Sequence, residues 1–310
     1  MRVLFWGTPD FAAAPLRALI GEGFEVVGVV TQPDKPQGRS RALVSPPVRQ
    51  IALEEQLPCF QPASPKDPEF IGMIELMKPD ISIVVAYGHI MPKAVIDLPR
   101  LGTLNIHASL LPLLRGAAPI QAAIRQGFTQ TGVTIMRMIP ALDAGPIILT
   151  AAIPIPDDET YGELQMRLSE LGALTLVEAL TLISVGEAAE TPQDASLATY
   201  APKVTREDAR VDWNLSAAEI SRIIRAYDPK PGAFTTFGGL DVKLFGARQE
   251  SGGTAAAEPG RVVDVRQGLI VACGDGLLSV RDVKPAGKAR MTGGEWSRGR
   301  GITTGDTLGT

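Results

Sequence analysis

The chain has 310 residues, 45% apolar, 21% charged and 5% aromatic, with a net charge of −4, two histidines and two cysteines. That apolar share excludes general disorder, and the length suffices for two domains that each bury a core. Cys59 and Cys273 stand far apart, in neither a disulfide-scaffold nor a metal-ligand spacing, so reduced thiols and no zinc or iron site are expected.

Residues 1–155 alternate strand-like and helix-like segments. Arg2 to Trp6 is an apolar run that Gly7-Thr8-Pro9-Asp10 breaks too early for a signal peptide. Asp10 is placed to cap a helix holding Phe11, Leu16, Leu19 and Ile20. A strand at Val26 to Thr31 leads into a Pro-, Gly- and Arg-rich loop, Gln32 to Ser45. Ser45 is expected to cap a helix from Pro46-Pro47 with Val48, Ile51 and Ala52 inward, and a further helix spans Asp67 to Met77. Strands follow at Ile81 to Tyr87, Thr103 to Ile106, Gly132 to Met138 and Ile147 to Pro154. Near-continuous apolar strands between helices predict an α/β fold, a Rossmann-like domain with a mainly parallel sheet.

From Thr160 a helical pattern (Leu164, Leu168, Leu171, Leu174) runs to Gly186, and the polar stretch from Glu187 to Arg206 reads as a linker. The longest apolar run, Ala173 to Val185, contains Glu178 and falls short of the ~18 residues of a membrane span. After an amphipathic helix, Ser216 to Ala226 with Ile220, Ile223 and Ile224 inward, come five short strand-like pieces. They are Phe234 to Phe237, Val242 to Phe245, Val262 to Val265, Leu269 to Ala272 and Leu277 to Val280, a spacing that predicts a smaller β-barrel of the OB type. Ser297 to Thr310 is expected to fray. The division is thus 1–186, a linker at 187–206, and 207–310. Residues 1–200 carry 14 Lys/Arg against 21 Asp/Glu and residues 201–310 carry 16 against 13, so a mildly basic second part hints at a polyanion.

Neither G-x-G-x-x-G nor G-x-x-x-x-G-K-[ST] occurs, and Asp10 at the first turn would repel a phosphate. A dinucleotide-dependent oxidoreductase is therefore disfavoured. Asn105 and His107 end a predicted strand, at the edge where open α/β sheets place ligands. Two residues apart on extended chain, they project to one side, about 7 Å apart. An amide and an imidazole so placed suit acyl-type transfer, the first for an oxyanion and the second for a proton. Taken alone, a turn Asn and a locally bonded His remain an alternative. Asp143 is a lone acid in the apolar loop Met138 to Pro146, where it needs a partner, a role or exposure.

These segments, in order, resemble the methionyl-tRNA formyltransferase family over nearly the full length. They are Gly7-Thr8-Pro9-Asp10-Phe11, Thr31-Gln32-Pro33-Asp34, Val85-Ala86-Tyr87-Gly88, Asn105-Ile106-His107-Ala108-Ser109-Leu110-Leu111-Pro112 and Arg115-Gly116-Ala117-Ala118-Pro119-Ile120-Gln121. Gly132-Val133-Thr134-Ile135-Met136, Leu142-Asp143-Ala144-Gly145, Asp212-Trp213 and Pro285-Ala286-Gly287-Lys288 complete the set. The resemblance implies a metal-free, cytoplasmic, monomeric enzyme. It would pass the formyl group of 10-formyltetrahydrofolate to the α-amine of initiator methionyl-tRNA. It makes Asn105, His107 and Asp143 the catalytic residues. Ser109, Leu110, Leu111 and Pro112 become a folate-contacting turn, and Ala86, Tyr87, Gly88, His89 and Ile90 a backbone wall for the pterin.

By the same resemblance the loop carrying Lys35, Arg39, Arg41 and Arg49 approaches the tRNA acceptor end. Arg281, Lys284, Lys288 and Arg290 of the second domain hold the acceptor arm by charge. Leu113 and Leu114 depart from the family's basic and aromatic residues, and Pro146 stands where an acid is common. Nucleotide-sugar formyltransferases share the Asn-His-Asp set and are the nearest rival; a non-catalytic RNA-binding protein is disfavoured because all three positions are intact.

Overall fold

The computed structural model describes residues 1–37, 42–250, 257–266 and 268–310. They form two compact units. The first comprises Met1–Gly116, Gln130–Ile153 and Gln165–Ala201; the second comprises Ala117–Thr129, Pro154–Leu164 and Pro202–Thr310.

In chain order the strands are β1 (Arg2–Gly7), β2 (Glu25–Val30), the ribbon β3 (Lys35–Gln37) and β4 (Ala42–Val44), β5 (Cys59–Phe60), β6 (Ile81–Val85), β7 (Thr103–His107), β8 (Gln130–Arg137) and β9 (Ile147–Pro154). Among them lie helices α1 (Ala13–Gly21), α2 (Pro47–Glu54), α3 (Pro68–Leu76), α4 (Lys93–Ile96) and α5 (Pro119–Arg125), and α6 (Tyr161–Val185) follows. Seven strands make one sheet in the order β5-β2-β1-β6-β7-β8-β9. The pairs β2–β5, β1–β2, β1–β6 and β6–β7 are parallel, whereas β8 runs antiparallel to β7. The sheet is thus mainly parallel, as the apolar runs predict, with a reversed edge.

Register sorts the side chains of this sheet into two faces. Trp6 pairs with Val84, Val84 with Asn105, and Asn105 with Met136, so these four share a face. On that face Leu4, Trp6 and Val84 pack with Phe70 and Ile74 of α3 and with Val95 and Ile96 of α4. The opposite face carries Ile106, against which Gly172 of α6 lies so close that a Cβ would sit 3.1 Å from Ile106 Cγ2. By length and composition alone α6 could cross a membrane, but 44% of its most apolar window is buried. Leu164, Leu168, Leu176 and Leu180 are fully covered, so it reads as a core helix. Leu174, part of the helical pattern read from the sequence, is exposed instead, and the neighbouring Gly172 and Ala173 are buried.

Two expected caps differ. Asp10 opens a short 3-10 turn, Asp10–Ala12, and caps no helix. Pro46, not Ser45, is the N-cap of α2, and Ser45 Oγ donates to Asp34 instead. Asp67 does cap α3, accepting from the Glu69 N–H.

The second unit holds α7 (Ala217–Tyr227), opened by a capping box between Ser216 and Glu219. Its strands are β10 (Ala233–Phe237), β11 (Leu240–Gln249), β12 (Val262–Asp264), β13 (Leu269–Ala272), β14 (Leu277–Pro285) and β15 (Met291–Thr292), followed by α8 (Gly293–Arg298). They form an antiparallel sheet in the order β10-β11-β14-β13-β12, with β15 beside β14. Its two outer strands are bridged by the segment expected to fray. Val262 N–H donates to Asp306 O and Leu308 N–H to Gly260 O, while Gly309 N–H donates to Thr236 O. Ile302 and Leu308 are buried, so the chain end is a structural part of an OB-like half-barrel rather than a tail.

Candidate active site

His107 ends β7 beside Thr134 of β8, on the face that carries Asn105. It is 5% exposed, and its Nε2 lies 2.9 Å from the carbonyl of Leu114. A carbonyl only accepts, so Nε2 carries the hydrogen. The nitrogen left for proton traffic is Nδ1, and it faces Asp143 Oδ2 at 3.7 Å. The Gly116 N–H donates to that same carboxylate oxygen at 2.8 Å. Asn105, one row below on the strand, is half-buried. The structure therefore brings together the three residues predicted as catalytic, within the first unit.

The way Asp143 arrives is not visible in its sequence. The loop after β8 leaves beside Thr103, since Met138 N–H donates to Thr103 O at the far end of β7. It then doubles back along the sheet to reach His107. Asp143 takes a left-handed φ of 48°, uncommon for a residue with a side chain. Two residues on, a Cβ on Gly145 would stand 1.8 Å from Arg137 O, so only glycine lets the loop cross the strand there. Gln193, from the stretch read as a linker, binds this loop through its amide. Its Nε2 donates to Asp143 O at 2.8 Å and to Gly145 O at 2.7 Å, and its Oε1 accepts two N–H groups of the buried Arg115. Sequence reasoning missed Gln193, Leu114 and Gly116 as partners. The resemblance marked only Gly116, within its motif; Gln193 sits in an aperiodic polar run with no signal of its own.

At the turn after β7, Thr134 Oγ1 donates to Ser109 O and accepts from the Leu111 N–H, while Ser109 Oγ donates to Leu113 O. Ser109 and Leu111 are buried, Leu110 and Pro112 half-buried. After β6, Ala86 (φ 48°) and Gly88 (φ 88°) are left-handed and exposed, and Tyr87 between them points inward. Its ring packs edge-on against Trp6 at 5.2 Å, and burial pushes its phenol up to about 12. Its carbonyl accepts from Thr8 Oγ1 and Gln32 Nε2. His89 is half-buried, and Ile90 stands almost free in solvent.

Arg39 and Arg41 lie outside the described residues. Lys35 is exposed at the base of the ribbon. Arg49, grouped with it in sequence, is paired to Asp34, and that guanidinium with Gln61 holds the Asp34 carboxyl below the usual carboxylate range. In the second unit Arg281 pairs with Asp282 at 3.2 Å. Arg290 pairs with Asp282 at 2.8 Å and covers the Phe245 ring at 4.2 Å. Lys284 and Lys288 are exposed, and Lys284 stands directly opposite Lys243 across β11 and β14. Like charges so placed repel. A cavity of about 1050 Å³ in the second unit is ringed by Asp158, Glu163, Arg248, Asp264 and Arg266, largely paired among themselves. It contains none of the three candidate catalytic residues, and size alone does not outweigh their convergence at the sheet edge.

The profile described as Formyl transferase matches residues 1–180, and that described as Formyl transferase, C-terminal domain, matches residues 203–301. Methionyl-tRNA formyltransferase of Moorella thermoacetica is 45% identical, covering 100% of this chain and 99% of that protein. The same-named protein of Kosmotoga olearia is 44% identical, covering 100% of both. Among solved structures, HypX from Aquifex aeolicus in complex with tetrahydrofolic acid aligns at a TM-score of 0.67 and 22% identity, over 95% of this chain and 46% of that one. The N-formyltransferase from Helicobacter canadensis, in complex with folinic acid and dTDP-3-aminofucose, aligns at 0.69 and 15% identity, over 90% and 97%. Methionyl-tRNA formyltransferase from Clostridium thermocellum aligns at 0.58 and 16%, over 82% and 95%. At these identities the three structures establish a shared fold.

Proposed function

The chain belongs to the methionyl-tRNA formyltransferase family, and from that premise we propose that it formylates initiator methionyl-tRNA in the cytoplasm, as a monomer, with 10-formyltetrahydrofolate as donor. The observation that carries the reading is the His107 geometry. One ring nitrogen is fixed on Leu114 O and the other faces Asp143, with Asn105 on the same face.

The reaction forms a bond between the methionyl α-nitrogen and the formyl carbon and breaks the bond from that carbon to the folate nitrogen. Asn105 donates its amide N–H to the formyl oxygen as that oxygen gains negative charge. The amine must shed a proton to stay joined to the carbon. His107 Nδ1 and Asp143 Oδ2, 3.7 Å apart, are the groups placed to take that proton and return one to the departing folate nitrogen. The folate fits the residues present. Ala86 and Gly88 expose backbone rather than bulk, as a flat heterocycle recognised by peptide groups requires. Ile90 and Leu142 offer exposed apolar side chains in the same unit. Ala86, Tyr87, Gly88, His89 and Ile90 form the pterin wall in this reading, and Ser109, Leu110, Leu111 and Pro112 the facing turn.

The division of labour gives catalysis to residues 1–186 and tRNA holding to residues 207–310. Lys35, Arg39 and Arg41 meet the acceptor end, and Arg281, Lys284, Lys288 and Arg290 the backbone of the acceptor arm. The test is incubation with 10-formyltetrahydrofolate and charged initiator tRNA. N-formylmethionyl-tRNA is the expected product, and transfer to a nucleotide-linked amino sugar instead would favour the rival reading. Asn105→Ala, His107→Ala and Asp143→Asn are each expected to slow single-turnover transfer by about 100-fold or more. Rates within a few-fold of the parent would remove the assignment.

A further inference from the structure

We propose that the strap of chain from Thr191 to Ala201 sets the geometry of the transfer centre, with Gln193 positioning Asp143 and Thr199 positioning His107. The proposal rests on the proposed function, in which Asp143 and His107 handle the amine proton. Polar and without periodicity, the strap nonetheless belongs to the first unit and is bonded to the rest of it at both ends. Thr191 and Ile147 exchange backbone hydrogen bonds at 2.8 Å, Arg115 N–H donates to Thr199 O at 2.8 Å, and Ala201 N–H donates to Arg115 O at 2.7 Å. Between these anchors two side chains reach the partners of His107.

Gln193 acts on the Asp143 side. Its orientation is fixed by chemistry, because Arg115 can only donate and the Asp143 and Gly145 carbonyls can only accept. The amide is the one side-chain group of this size that satisfies both neighbours at neutral pH. It holds the backbone of Asp143 where φ is 48°, a conformation that persists only when its surroundings impose it. Thr199 acts on the Leu114 side. Its Oγ1 accepts from the Leu114 N–H at 2.9 Å, and the Leu114 carbonyl is the acceptor for His107 Nε2. Leu114 is also left-handed, at φ 58°. A single strap therefore holds the acceptor behind the imidazole and the acid in front of it.

Gln193→Glu is the discriminating substitution. It keeps the shape and the Arg115 contact but turns a carboxylate toward two carbonyl oxygens. Formyl transfer at saturating substrates is expected to fall about tenfold or more, equivalent to about 1.4 kcal/mol of barrier, with KM for folate and for tRNA within twofold. In an Asp143→Asn background the same substitution is expected to cost less than twofold, since its effect passes through the carboxylate. If Asp143→Asn is slow and Gln193→Glu adds its full penalty to it, or if Gln193→Glu is as fast as the parent, the positioning role is overturned. If Asp143→Asn itself is fast, the underlying catalytic reading fails instead. Thr199 supplies a second arm should Gln193→Glu not fold. Thr199→Val, which loses the acceptor, is expected to be slow, and Thr199→Ser, which keeps it, near the parent rate. Equal rates for both would overturn that half of the proposal.

Discussion

At the scale of single residues the centre depends on two backbone conformations that the chain would not adopt unaided. Asp143 and Leu114 both sit in the left-handed region, and each presents a group to a different nitrogen of His107. Gly145 is the residue that makes the Asp143 approach possible, since any side chain there collides with Arg137 O. Gly145→Ala is therefore expected to push the loop away from β8 and carry Asp143 with it. A displacement near 1 Å at reacting groups costs about 100-fold in rate, so kcat should drop by that order while folate and tRNA KM change little. Steady-state kinetics check this, and an unchanged kcat would mean the loop tolerates the methyl without moving Asp143. Asn105 and His107 are legible in the sequence because their juxtaposition is local, two residues along one strand. Gln193 is not, because what it does depends on where a remote loop folds, and no pattern in its own neighbourhood encodes that.

At the scale of elements the sequence reads well wherever burial imposes a period. The apolar runs locate six of the seven strands of the first sheet to within a few residues, the two-residue β5 being the exception, and α7 announces itself through Ile220, Ile223 and Ile224. It reads badly where pairing partners are distant. The segment from Ile302 to Thr310 has few apolar residues, yet it bonds to Gly260 and Val262 on one side and to Thr236 on the other. It thereby covers edges of β12 and β10 that would otherwise be open to pairing with another chain. Removing residues 302–310 uncovers these edges and also deletes the buried Ile302 and Leu308. Each such side chain contributes about 1.5–3 kcal/mol when fully covered. The truncated chain is expected to lose several kcal/mol of stability in the second unit and to self-associate. Urea denaturation and light scattering measure both, and an unaltered midpoint would mean the edges are satisfied without this segment.

At the scale of the whole molecule residues 1–200 carry 14 Lys/Arg against 21 Asp/Glu and residues 201–310 carry 16 against 13, a split in which the second part supplies most of the excess cations for a polyanion and the first only the local set around Lys35. The natural experiment, cutting the chain near residue 206, would not test this. Residues 117–129 and 154–164 count with the second unit, and α5 buries Ile120, Ala123 and Ile124 there, so the cut would strip apolar surface from segments left behind. Charge substitution avoids that difficulty. Arg281 and Arg290 share the one carboxylate of Asp282, so substituting them would also disturb the protein's own ion pairs, whereas Lys284 and Lys288 are exposed. Lys284 stands directly opposite Lys243 in the register of β11 and β14, so a phosphate there would meet two neighbouring cations. Neutralising Lys284 and Lys288 to Ala should weaken tRNA binding and lower the slope of log K against log salt by just under one for each phosphate that no longer meets a cation. KM for folate should not change, because the residues proposed to meet the folate all belong to the first unit. A salt slope identical to the parent's would place the phosphate-binding cations elsewhere in the chain, with the ribbon bearing Lys35 as the next set to neutralise.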